Sequence, residues 1–193
     1  MAFKEGKVVD SFSVKGKGGK KIQVTFRYPK KSDLKACLKM VNFVRREAEC
    51  LGQRRIETLA SEKKWLKKQL ADMRKKKAVV VLVEAEGELV GDASIQPYQY
   101  DTAAHIGTFG IMLKEEFTGI GVGTRLGKRI LELAKKETTY KIIESGHFST
   151  NRRSAKLHKR LGFKKCGLLP NGSLLKGGGY DGTVWLYKQI KKL

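Results

Sequence analysis

The stretch Thr118-Gly119-Ile120-Gly121-Val122-Gly123 follows a run of strand-forming residues, His105–Leu113, and leads directly into a helical pattern. Leu126, Ile130, Leu133 and Ala134 make one face of that helix. Glycines let a backbone approach a ligand closely, and the first free N–H groups of a helix favour an anion. Arg125 and Lys128 add positive charge to the first turns. The chemistry this spacing suits is phosphate binding. A P-loop is excluded, because Gly127-Lys128 is followed by Arg129 and Val122 stands where the first glycine belongs. A dinucleotide fingerprint is excluded too: Thr124 or Leu126 stands at the third glycine position. A glycine-rich turn without a ligand is the plain alternative.

Few other residues could carry chemistry. The three cysteines (Cys37, Cys50, Cys166) include no C-x-x-C pair, and the three histidines (His105, His147, His158) make no close ligand pair. A disulfide framework or a metal site is therefore not expected, and cysteines used this way suit a reducing cytoplasm. No apolar run reaches the length of a membrane span, and the first residues lack the apolar stretch of a signal peptide.

The elements that position the glycine loop follow from pattern. The chain's 193 residues suit one domain. Val8–Val14 and Ile22–Tyr28 flank Gly16-Lys17-Gly18-Gly19 as a hairpin. Ser32 is expected to cap a helix from Asp33, and a second helix is expected after Ser61, with Trp65, Leu66, Leu70 and Met73 on its apolar face. Strands are expected at Ala78–Glu84, Glu88–Ser94, His105–Leu113, from Lys141, at Lys164–Leu169 and at Thr183–Ile190, with a helix over Asn151–Leu161. The order ββ-αα-βββ-α-β-α-ββ is mixed α/β, not the regular alternation of a doubly wound sheet.

Two segments then match a known pattern. HIGTFGIMLKEEFTGIGVGTRL (105–126) resembles motif A of the GNAT superfamily of N-acetyltransferases, Q/R-x-x-G-x-G/A after a central strand. Gly121 and Gly123 fill the glycine positions, while Thr118 replaces the usual Gln or Arg. NRRSAKLHKRLGF (151–163) resembles the family's N-x-x-x-A-x-x-L-Y-x-x-x-G-F motif. The hairpin over Val83–Gly91 and the tail Gly179-Tyr180-Asp181 are similar as well. The resemblance spans about Ile22 to Ile190, leaving residues 1–21 as an added N-terminal β extension before a single acetyltransferase domain over 22–193.

The resemblance implies the acyl-CoA N-acyltransferase fold, with acetyl-CoA held where two parallel central strands part. It implies that Ile111, Met112 and Leu113 pair with the pantetheine arm, and that the amides of Gly119, Ile120, Gly121, Val122, Gly123 and Thr124 hold the pyrophosphate. Asn151 and Ser154 would contact the cofactor from the following helix. Transfer would be direct, from thioester to primary amine in a ternary complex. The family's usual thiolate-protonating Tyr is replaced here by His158, as in phosphinothricin-type members. His158 is a candidate acid, with packing on an apolar helix face as the alternative. His105 and Glu144 are candidate bases.

Charge bears on the acceptor. Lys and Arg number 41 against 19 Asp and Glu, a net +22. Lys63–Lys77 holds eight basic residues and one acid, and Ser145–Tyr180 holds eight and none. Such a surface suits anionic partners, including RNA or a ribosome, or is simply a solvated face. Polycationic acceptors fit poorly unless a local acidic pocket exists. The resemblance implies that the first two helices form the acceptor side, with the loop Glu49–Thr58, which carries Arg54 and Arg55, as its wall. Small amines, amino-acid-like compounds and protein N-termini remain as acceptors, a nucleic-acid- or ribosome-binding module with weak catalysis remains as the alternative, and the chain could be monomer or homodimer.

Overall fold

The computed structural model describes residues 3–193. Eight strands form one sheet: β1 (Val8–Lys15), β2 (Lys21–Arg27), β3 (Val79–Ala85), β4 (Glu88–Pro97), β5 (Ile106–Leu113), β6 (Ile142–Phe148), β7 (Lys164–Leu174) and β8 (Tyr180–Gln189). Their spatial order is β1-β2-β3-β4-β5-β6-β8-β7, and every neighbouring pair is antiparallel except β5 with β6. The helices are α1 (Leu34–Glu47), α2 (Leu59–Arg74), α3 (Val122–Glu137) and α4 (Arg152–Arg160). This is the mixed α/β architecture the element order implied.

The helices cover both faces, as strand alternation shows. Ile111 and Leu113 of β5 lie against Gly123 of α3. Met112, between them, pairs across β4 with Asp92, which interacts with Glu62 of α2 and Cys37 of α1. Successive side chains of a strand point to opposite faces, so α1 and α2 cover one face and α3 the other. Val79–Val83 is buried throughout because both faces are covered. Gly127 of α3 packs on Leu161, where an added Cβ would lie 2.5 Å from a Leu161 methyl; this close approach sets how α4 sits on α3.

Several boundaries differ from expectation for local reasons. Ser32 does not cap α1. A 3-10 turn over Lys31–Asp33 precedes the helix, and the Asp33 carboxylate accepts the Lys30 N–H (2.8 Å) and pairs with the buried Arg27 guanidinium. The second helix starts at Leu59, earlier than Ser61, because Thr58 and Ser61 cap each other's backbone N–H groups. Strand β7 runs on to Leu174 through Pro170, as an edge strand can. The N-terminal hairpin is continuous with the main sheet through β2 and β3, and Arg129 Nε of α3 donates to the Val9 carbonyl.

Candidate active site

Strands β5 and β6 pair only at Ile106–Ile142, Gly107–Ile143 and Thr108–Glu144. Beyond Thr108 they part, yet β5 stays on β4 to Leu113 and β6 stays on β8 to Phe148. The gap between them is a cleft of about 750 Å³. Apart from the Phe109 carbonyl, which accepts from Ser145 Oγ, backbone groups of the parted strands make no bond across the gap and can pair with an extended ligand.

The glycine loop closes one end. Gly119 (φ +78) and Gly121 (φ +92) are left-handed, and a Cβ at either would meet no protein atom within 4 Å. The space above the loop is open, and left-handed backbone is what favours glycine there. Gly121 is the cap of α3, so the first-turn amides of Val122, Gly123 and Thr124 have no intrahelical acceptor. Thr118, the departure from the family motif, donates its hydroxyl to the Glu115 carbonyl at 2.7 Å and steadies the turn before the loop. Arg125 does not reach the loop: Asp10 of β1 takes its guanidinium by two bonds (2.6 and 2.8 Å), and it stacks on Phe12. That pairing holds the Asp10 carboxyl below the usual range.

Helix α4 forms the opposite wall. Asn151 Oδ1 accepts the Ser154 N–H (2.9 Å), capping the helix without using the amide N–H₂, and Asn151 lines the cleft. One turn on, His158 is 3 % exposed among Phe109, Phe163 and His147. Its Nδ1 lies 2.8 Å from the Ser154 carbonyl and its Nε2 2.9 Å from Ser145 Oγ. A carbonyl only accepts, so Nδ1 carries the proton; burial pushes the imidazole below its ordinary pKa and keeps it neutral. Unprotonated Nε2 and the Phe109 carbonyl, 3.0 Å from Ser145 Oγ, are thus both acceptors for the single Ser145 hydroxyl proton. Asp181 ties the turn before α4 by accepting from Ser149 and Thr150, and these bonds draw its carboxyl down to about 2.

Ile111, Met112, Leu113, Gly119, Gly121, Gly123, Thr124, Asn151, Ser154 and His158 all line the cleft. Ile120 and Val122 are not among the lining residues: the Val122 side chain is buried beneath the loop and Ile120 packs on the core. The structure does not bring His105 or Glu144 to the cleft. His105 is exposed at the closed end of the parallel pair, where its carbonyl accepts from Lys141 and Ile142. Glu144 sits in the paired part, between Thr108 and Tyr187. Residues 50–53 do wall the cleft, while Arg54 turns away to the Leu174 carbonyl. Cys166 is exposed on β7, not packed.

Sequence reasoning missed Ser145, Asp92 and Arg45, which also line the cleft. Asp92 had a signal: an acid inside the apolar strand sequence Leu89–Ile95 is rarely buried without a reason.

The family model for the acetyltransferase (GNAT) domain matches residues 23–164. The chain belongs to the GNAT acetyltransferase family. An N-acetyltransferase from Bacillus subtilis (strain 168), the SPbeta prophage-derived YokL, is 30% identical over 125 residues, 64% of this chain and 67% of that one. Among solved structures, yncA, a putative acetyltransferase from Salmonella typhimurium with its cofactor acetyl-CoA, superposes with a TM-score of 0.78 at 20% identity. That match covers 88% of this chain and 95% of yncA. The ribosomal-protein-alanine N-acetyltransferase from Brucella melitensis gives 0.75 at 24% identity, over 85% and 98%. The family match thus takes in the glycine loop, both parting strands and α4, the elements that build the cleft.

Proposed function

We propose that the cleft binds acetyl-CoA and that the enzyme passes its acetyl group directly to a primary amine. The observation that carries this is the parting of β5 from β6 beside a left-handed glycine loop. The parted strand offers backbone groups to an amide-bearing arm, and the loop offers free amides to a pyrophosphate. Asn151, which lines the same space, has an amide N–H₂ that its cap does not use and that would serve as a further donor. The presence of acetyl-CoA in the yncA structure supports this reading, and the Brucella enzyme keeps a protein N-terminus among the acceptors.

Direct transfer needs the amine freed of one proton before attack and a second as the adduct collapses, while the thiolate takes one back. His158 acts through Ser145. Its ring proton is committed to the Ser154 carbonyl, so Ser145, held between His158 Nε2 and the Phe109 carbonyl, is the hydroxyl that can turn toward the departing sulfur, giving its proton to the thiolate as it takes the second amine proton.

The test is the thermal midpoint during titration with acetyl-CoA at moderate salt, with ATP as the polyphosphate control. A ligand that binds only the native state raises the midpoint by mass action. A saturable rise for acetyl-CoA well beyond ATP is expected. An equal response to both would reduce the binding to the +22 charge.

A further inference from the structure

The cleft wall is basic, with one exception. Arg45, Arg153, Lys156 and Arg160 line it, and Asp92 is the sole carboxylate among the described lining residues. Asp92 stands opposite Met112 and faces the α1/α2 side, away from α3, in the cleft that residues 50–53 also line. It is 7 % exposed, and no hydrogen bond or ion pair among the described residues engages its carboxylate. Behind it lies Glu62 of α2, 5 % exposed and equally without a hydrogen-bonded partner. From α1, Cys37 is the neighbouring thiol, raised by burial and by both carboxyls. Arg45, also on α1, bonds Glu57 at 2.6 Å, so its charge is matched elsewhere; its buried Nε–H has no acceptor. Arg45 also acts on Glu62 but not on Asp92, so Asp92 is a buried acid with no cation beside it, which is unfavourable unless something positive joins it. The arrangement lacks one ammonium beside Asp92 and one acceptor atom beside Arg45 Nε.

We propose that Asp92, backed by Glu62, binds the ammonium of the acceptor and takes its proton, and that the acceptor carries one positive charge and an oxygen for Arg45. An amino acid or a peptide N-terminus has that chemistry; polyamines do not, because their further charges would meet Lys156 and Arg160, the lining cations that no carboxylate among the described residues matches, Arg153 being held by Glu115. This rests on the acetyl-donor reading of the cleft. An ammonium N–H bond breaks and an O–H bond forms at Asp92. The freed lone pair forms the C–N bond at the thioester carbonyl and the C–S bond then breaks. The second amine proton ends on the thiolate sulfur, so no other reactant is needed. Asp92 is the catalytic residue and Glu62 a positioning residue, since only Asp92 reaches the cleft.

The test uses the full chain saturated with CoA, with ¹³C-labelled aspartate and the Asp92 carboxyl signal assigned through D92N. Glycinamide is the probe, with propylamine and spermidine as comparisons. Glycinamide is expected to move the Asp92 signal saturably and to lower its titration midpoint, more strongly than propylamine. A signal unmoved at millimolar glycinamide, in a sample whose CoA binding is confirmed separately, overturns the proposal and leaves the donor reading standing. If CoA itself does not bind, the donor reading fails, and the same titration of the free protein still decides whether Asp92 takes an ammonium. Spermidine binding more tightly than glycinamide would overturn the single-charge assignment. In turnover, D92N should lower kcat/KM for glycinamide about 100-fold with acetyl-CoA affinity unchanged. D92E should restore part of it, and E62Q should shift the acid limb of the pH profile, which a purely structural role would leave in place.

Discussion

The D92N substitution makes an unusual stability prediction: it should help the protein more at high pH than at low pH. Burial, and then the neighbouring Glu62 charge, push the Asp92 carboxyl from 3.8 to about 7. A carboxyl raised in the folded state stabilises the fold when protonated, and that stability is lost as pH rises from about 4 through about 7. At pH 8 the folded protein bears the whole penalty, roughly 1.36 kcal/mol per pH unit over about three units, or ~4 kcal/mol. At pH 5 the ionised fraction of the unfolded chain accounts for only ~2 kcal/mol by the same arithmetic. Asparagine removes both penalties and adds the cost of an unpaired buried amide, about 1–3 kcal/mol, which does not depend on pH. That constant cancels in the difference. D92N relative to wild type should therefore be more favourable at pH 8 than at pH 5 by about 2–3 kcal/mol. Urea unfolding at the two pH values measures it. The same difference at both pH values, or one of opposite sign, would show that Asp92 is ionised and solvated in the native state and would sink the reasoning.

Other substitutions separate binding from folding. G121A introduces a Cβ at φ +92 where nothing crowds it, so it should cost about 1–2 kcal/mol through backbone conformation alone, whereas G121E should also abolish acetyl-CoA binding by setting a charge over the free amides. Unchanged affinity in G121E, by calorimetry, would remove the loop from the site. N151D keeps the cap on Ser154 but loses the amide donor, so its melting point should stay within a degree or two while acetyl-CoA affinity falls; N151A should lose both, with about 1 kcal/mol of stability. Equal acetyl-CoA affinity in N151D and wild type would confine Asn151 to capping. G127V drives a branched side chain into Leu161, and a loss of about 1–3 kcal/mol in chemical denaturation is expected, with the α3–α4 spacing disturbed. An unaltered unfolding midpoint would show that α4 can shift freely.

The sequence by itself determined what depends on neighbours along the chain. The loop from Thr118 to Gly123 is legible because left-handed turns and helix starts have local chemistry, and Asn151 reads as a helix start for the same reason. The order of elements follows from periodicity within each segment, and the family from the resemblance of residues 105–126 and 151–163 to its motifs. Boundaries slipped where a long-range partner intervened: Asp33 is held by Arg27 from β2, so the turn before α1 replaced the cap expected at Ser32. The tertiary structure decided which charges act. Arg125, beside the loop in sequence, is neutralised by Asp10 from the far end of the chain. His158 is a neutral acceptor because its own helix takes its proton and the sheet buries it. Asp92 meets Glu62 only when β4 lies under α2, and its burial there raises it into the neutral range. Proton affinity depends on dielectric and on charges a few ångströms away, and those are set by packing between segments remote in sequence, which no local pattern records.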